Sequence, residues 1–267
     1  RGGLEIVSGT ASFVSDSIIA GSISAAPGVA LVARGSGASL VTTGTAVLDG
    51  VDLTVADGGT LRLGGGSTID AGTSPRRWSA DGAGSVLELP DLVSVVSGAS
   101  VSLVASAGGR VALASLSAAS GGLAVSATGA DSAVALPALV TWDSGASTGS
   151  LDASDGGKVD FGQATPLLEG VTMGVVPTGT FAAGALRLGA GSFLSGTGTV
   201  PSIVNVGGTV RPAGTGIGVL SIDGDFTQSA GGLMEIELRS LDDTDRLVVS
   251  GRASVGGTVR LVHLAEP

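Results

Sequence analysis

The 267-residue sequence contains no cysteine and no tyrosine, and Lys158 and His263 are its only lysine and histidine. Without cysteine there is no disulfide framework and no thiolate metal site, and either an oxidising or a reducing compartment suits the chain. A single histidine leaves neither a Ser-His-Asp arrangement with family spacing nor a typical zinc site. Basic residues are scarce, 13 against 23 acidic ones, for a net charge of −10 and a pI near 4.4. Nucleic acid is excluded as a partner, because a phosphate-binding face needs clustered Lys and Arg, and Arg76-Arg77 is the only adjacent basic pair. No apolar run approaches the ~20 residues of a membrane helix. Aromatics make up only 3% of the chain, so the usual aromatic lining of a carbohydrate groove is largely missing.

What is abundant is small or apolar. There are 47 glycines and 9 prolines, yet 43% of the residues are hydrophobic, enough for a large core and short of the bias that marks disorder. The chain opens on Arg1-Gly2-Gly3, with neither an initiator methionine nor a signal peptide, and reads as a piece of a longer protein.

Six stretches align on one pattern: "LVARGSGASLVT" from Leu31, "LTVADGGTLRLG" from Leu53, "WSADGAGSVLELPDL" from Trp78, "LVASAGGRVALASL" from Leu103, "VSATGADSAVALPAL" from Val125 and "LDASDGGKVDFG" from Leu151. Each has an apolar residue, a Gly-rich turn, and a second apolar residue eight or nine positions after the first. The second positions, Leu87, Val111, Val134 and Val159, recur at a nearly constant interval. Short alternating runs between glycine turns are the signature of strands, and helical periodicity with capping boxes is absent almost everywhere. A unit of ~24 residues cannot bury its apolar side alone, so units must stack around a continuous core. The expected fold is all-β, a right-handed parallel β-helix of about 22–26 residues per coil and roughly 11 coils. Leu31, Leu53, Trp78, Leu103, Val125 and Leu151 should point inward on one strand, and Leu61, Leu87, Val111, Val134 and Val159 on the next. Arg62, Glu88, Ala112, Ala135 and Asp160 should share one outward, water-facing column.

The order of short motifs in residues 207–264 carries a resemblance. Gly208-Thr209-Val210-Arg211-Pro212, Gly218-Val219-Leu220, Gly224-Asp225-Phe226-Thr227-Gln228, Glu235-Ile236-Glu237-Leu238 and Asp245-Arg246-Leu247-Val248-Val249 resemble the passenger-associated repeat of bacterial autotransporters. Pro212-Ala213-Gly214-Thr215-Gly216-Ile217-Gly218 stands where that family usually has a Pro-Gly pair followed by Ser-Pro-Gly. The resemblance implies that residues 207–267 form the last coils of a solenoid continuous with residues 1–206. It also implies an exported, surface-projecting bacterial protein in which this terminal segment helps the rest to fold.

Solenoids of this class include polysaccharide lyases and hydrolases, so acidic clusters need weighing. Glycoside hydrolysis uses two carboxylates flanking one bond, and a lyase uses a calcium-holding acidic cluster with a basic Arg or Lys. Asp152, Asp155, Asp160 and Lys158 offer those groups. The repeat instead makes Asp155-Gly156-Gly157 a turn equivalent to Asp57-Gly58-Gly59 and Ala107-Gly108-Gly109, a position that suits Asp, and makes Asp152, Lys158 and Asp160 exposed surface. Convergence of Asp152, Asp160 and Lys158 with Glu88 or Arg110 in one groove would favour an enzyme.

Asp242-Asp243-Thr244-Asp245 lacks the glycine-spaced loop of an EF-hand and reads as an exposed loop between two terminal strands. His263 reads as a strand position near the chain end. The Gly clusters lie between strands and lack the strand-to-helix junction of a phosphate loop. Trp78 and Trp142 read as core filling, and Thr42, Thr43 and Thr45 do not extend into the threonine ladder of an ice-binding face. No catalytic, metal-binding or cofactor-binding residue is assigned and no cofactor is expected. The expected function is a structural or adhesive segment of an exported surface protein with an unknown partner, and the alternative is a carbohydrate-active β-helix.

Overall fold

The computed structural model describes residues 4–14, 17–66 and 68–265. They form a β-solenoid of about 11 turns with about 23 residues per turn and no helix. All pairings between its named strands are parallel, so each coil stacks on its predecessor.

Three sides run along the stack. On the first, Leu31, Leu53, Trp78, Leu103, Val125 and Leu151 stand in register and continue through Met173, Leu194, Val210 and Met234 to Val259. On the second, an eight-stranded sheet from Ser17–Ala20 to Thr180–Ala182 carries Leu61, Leu87, Val111, Val134 and Val159 in one column. On the third, Val95, Ala119, Trp142, Leu168, Leu188, Asn205, Gln228 and Val255 are in register. The inward columns expected from the repeat are therefore present, and their residues are buried. Each fully buried Leu or Val contributes roughly 1.5–3 kcal/mol of transfer free energy, so the columns dominate the stabilisation.

From Leu31 to Val159 the corner between the first and second sides alternates, and the next corner, Met173 to Phe181, again spans eight. Leu53 to Leu61, Leu103 to Val111 and Leu151 to Val159 span eight positions, while Leu31 to Leu40, Trp78 to Leu87 and Val125 to Val134 span nine. In the short corners, Asp57, Ala107 and Asp155 adopt φ of 53°, 50° and 53°, followed by Gly58, Gly108 and Gly156 at 83°, 87° and 89°. Two successive left-handed residues turn the chain most tightly, and glycine takes the second place without a Cβ penalty. The third residue passes close beneath the neighbouring coil: a Cβ on Gly109 or Gly157 would stand 2.2 Å or 2.1 Å from the carbonyl oxygen of Ala80 or Ala127.

Two of the long corners end on a buried serine that ties coils together, and in the Leu31–Leu40 corner Ala38 takes that place. Ser85 Oγ accepts the Gly58 amide (3.0 Å) and donates to the Asp81 carbonyl (2.6 Å). Ser132 Oγ likewise accepts the Gly108 amide (2.9 Å) and donates to the Thr128 carbonyl (2.7 Å). Each serine thus satisfies an amide that the short corner turns away from its own strand ladder. After Asp155, Thr178 fills this role, its Oγ1 accepting the Asp155 amide and its carbonyl the Gly156 amide.

Towards the C-terminus the cross-section contracts. The coil from Leu194 to Val210 is the shortest on the first side, and the eight-stranded sheet has already ended at Thr180–Ala182. Beyond that point the third side turns polar inside. Asn205 Nδ2 donates to Gln228 Oε1 (3.2 Å) and the Leu233 carbonyl (3.2 Å), and its Oδ1 accepts the Gly208 amide (2.9 Å). Gln228 Nε2 donates to the carbonyls of Gly256 (2.7 Å) and Thr258 (3.1 Å). The two side-chain amides are fully paired, which removes most of the cost of burying them. In the last coil Val255, Val259 and Leu261 stay 52%, 49% and 67% exposed, because no described strand lies beneath them.

Candidate functional site

The cluster at 152–160 is divided by its corner. Asp152 lies on the first side, in register with Ser126 and Gly174. Asp155 is the exposed left-handed corner residue, with φ 53°. Lys158 and Asp160 lie on the second side and pair with each other at 2.6 Å. The inward residues of this stretch, Leu151, Val159 and Phe161, are buried as the repeat requires.

Asp152, Lys158 and Asp160 were expected to be exposed, and this needs correction: all three are half-buried. Outward side chains in parallel stacks stand about 4.8 Å from those of the coils above and below and shield one another. The same shielding buries Ala112, an outward residue left 8% exposed. The two aspartates respond differently. Burial raises the Asp152 carboxyl above its ordinary value, helped by the Asp155 charge. At Asp160 burial also works upward, but the hydrogen bonds from Lys158 and the Gly162 amide, with the charges of Lys158 and Arg110, outweigh it and hold the carboxyl below the ordinary value.

The outward column Arg62, Glu88, Ala112, Ala135 and Asp160 is present in register. A second outward column beside it holds Thr60, Val86, Arg110, Ala133 and Lys158. Lys158 and Asp160 therefore share a face with Glu88 and Arg110, while Asp152 does not join them. Arg62 pairs with Glu88, and a shallow depression of about 180 Å³ lies among Arg62, Glu88, Pro90, Arg110, Ala112 and Ala114. Glu88 and Asp160 are three coils apart, about 14 Å at the parallel-strand spacing. That exceeds both the ~5 Å separation of a retaining glycosidase and the ~6.5–9.5 Å of an inverting one.

The Asp242–Asp245 segment also departs from expectation. Asp242 is exposed and Asp243 pairs with Arg239 (3.1 Å), but Asp245 is buried. Its carboxylate accepts the amides of Gly218 and Glu237, both at 2.9 Å, so it clasps two strands across the inserted loop. Burial pushes the Asp245 carboxyl up, against the opposing influence of the Gly218 amide and the Arg211 charge. Beside it Glu237 is buried and pairs with Arg211, and Glu235, also buried, pairs with Arg260. These carboxylates are committed to backbone amides and arginines. Among the described residues no group of three or more His, Asp or Glu side chains is placed to hold a metal ion.

The remaining candidates resolve individually. His263 ends the last strand and is exposed. Trp78 and Trp142 are fully buried, Trp78 donating from Nε1 to the Val51 carbonyl at 3.0 Å. Thr42 is buried, with Oγ1 accepting the Gly64 amide at 2.7 Å. A notch of about 380 Å³ lies where the cross-section contracts, between Thr180–Ala182 and Thr199–Pro201. Among the described residues its lining includes one carboxylate, Asp223, and no histidine, lysine or arginine. The repeat gave no warning of the notch or of the Asn205–Gln228 pair, since both arise where the repeat loses its regular length.

Comparison of the chain with protein-family models, with curated proteins and with solved structures finds no match to any of them.

Proposed function

We propose that this chain is a non-catalytic structural or adhesive segment of a large exported bacterial surface protein, a rigid stalk or display scaffold. The observation that carries this is the division of the 152–160 cluster between two sides of the solenoid, with Glu88 about 14 Å from Asp160. This separation supports a scaffold over a two-carboxylate hydrolytic site. Support for a stalk comes from the parallel stack itself: about 11 turns rise on the order of 50 Å with a continuous apolar interior. Support for export rests on the resemblance of residues 207–264 to the autotransporter passenger repeat.

The test is a turnover screen of the purified chain against neutral and acidic polysaccharides, following product length and new reducing or unsaturated ends. No cleavage is expected. Robust cleavage that disappears in Asp160→Asn or Lys158→Ala would replace the scaffold with a carbohydrate-active enzyme.

A further inference from the structure

The outward face of the eight-stranded sheet differs in charge from the rest of the chain. Its described outward side chains include three cations, Arg62, Arg110 and Lys158, against two carboxylates, Glu88 and Asp160, in a chain of net charge −10. The cations sit on alternate coils, each with a short corner. Arg110 and Lys158 share one column two coils apart, and Arg62, two coils before Arg110, is displaced by one outward position along its strand. Two coils rise about 10 Å, so the face presents a positive group at that interval along the axis.

Between Arg110 and Lys158 the surface is low, formed by Ala112, Ala133 and Ala135, while Val86 and Glu88 stand between Arg62 and Arg110. Arg62 and Arg110 line one depression. Arg110 is exposed and makes no ion pair among the described residues, while the Arg62–Glu88 and Lys158–Asp160 pairs are partly exposed and so cost little to exchange. The corner aspartates Asp57, Asp131 and Asp155 run alongside and are exposed. They would repel a broad anionic surface such as a bilayer or duplex, and leave room only for a thin chain lying along the axis.

We propose that this strip binds a linear acidic polysaccharide carrying one carboxylate on alternate sugars, with Arg110 and Lys158 each engaging a carboxylate and Arg62 a third. The proposal rests on the scaffold reading and supplies its adhesive partner class.

The test is fluorescence anisotropy with labelled hyaluronan oligosaccharides at low ionic strength, with dextran as the uncharged comparison. Wild-type protein should bind hyaluronan and not dextran, with affinity falling as salt rises. Arg110→Ala and Arg110→Gln should each weaken binding about tenfold, the loss of one charge-assisted contact. Adding Lys158→Ala should abolish it, while Arg187→Ala, an exposed arginine on another side, should leave it unchanged. Unfolding midpoints of the variants verify that each is folded. Equal binding by wild type and Arg110→Ala, binding equally weakened by Arg187→Ala, or no binding at low salt overturns the proposal. Shortening of the hyaluronan would instead overturn the non-catalytic scaffold, and the variant series would still decide whether the strip holds the polymer.

Discussion

At the corner position occupied by Asp57 and Asp155, the intervening short corner has Ala107, held at φ 50°. A left-handed conformation costs an alanine roughly 1–2 kcal/mol, and Asn or Asp relieve part of this through local hydrogen bonds. Ala107→Asn should therefore stabilise the protein by up to about 1 kcal/mol, read as a raised urea midpoint at unchanged slope. An unchanged or lowered midpoint would show that the corner does not strain its alanine. Asp152 permits a second test. Its carboxyl is raised by burial and by Asp155, so the folded state holds the proton more tightly than the unfolded chain and ionisation works against folding. Asp152→Asn should raise the melting temperature at pH 7, and the difference should vanish once the pH falls below the ordinary carboxylate value and both states are protonated. A difference independent of pH would assign the effect to packing instead. For Asp160 the sign reverses: its lowered value gives stability that is present at neutral pH and lost as the pH falls through the folded-state value.

At the scale of elements, the serine-bearing long corners connect one coil to the next. Ser132→Ala would leave the Gly108 amide without its partner in a part-buried setting, while the Thr128 carbonyl keeps the Ala107 amide, a loss of about 1–2 kcal/mol. Amide exchange at Gly108 should accelerate with it, and a stable variant with unaltered exchange would show that solvent replaces the serine. Most of this level could be read in the sequence. Residues such as Leu31, Trp78 and Val134 announce their columns because inward positions of the regular coils hold apolar side chains, and glycine marks corners that require positive φ. The eight-and-nine alternation was also readable, from the spacing together with Ser85 and Ser132 at the ends of the long corners. Three features were not. Half-burial of Asp152 and Asp160 depends on neighbours a whole coil away along the chain. The buried clasp of Asp245 depends on how the inserted loop folds back. The Asn205–Gln228 pair depends on the shortened coil between Leu194 and Val210, where the period that guides the alignment fails.

At the scale of the whole molecule, each coil touches chiefly its neighbours, so stability is a sum of coil and interface terms and falls off at the ends. The last described coil, Arg246–His263, has a described partner on one side only and leaves Val255, Val259 and Leu261 exposed. Native-state hydrogen exchange should be fastest there and slowest in the coils around Trp78 to Leu151, where both neighbours are present and the interior is apolar. Uniform protection along the chain would indicate a single cooperative unit instead.

The paired corners also govern how such a molecule can be inherited. Copying a short-corner coil beside itself would leave an amide like that of Gly58 or Gly108 without the serine of a following long corner, unless the copy carried a hydroxyl as Thr178 does beside Asp155. Copying two adjacent coils keeps every joint intact. The natural increment of length is therefore a doublet, the interval from Arg110 to Lys158, and each added doublet repeats the spacing of that column.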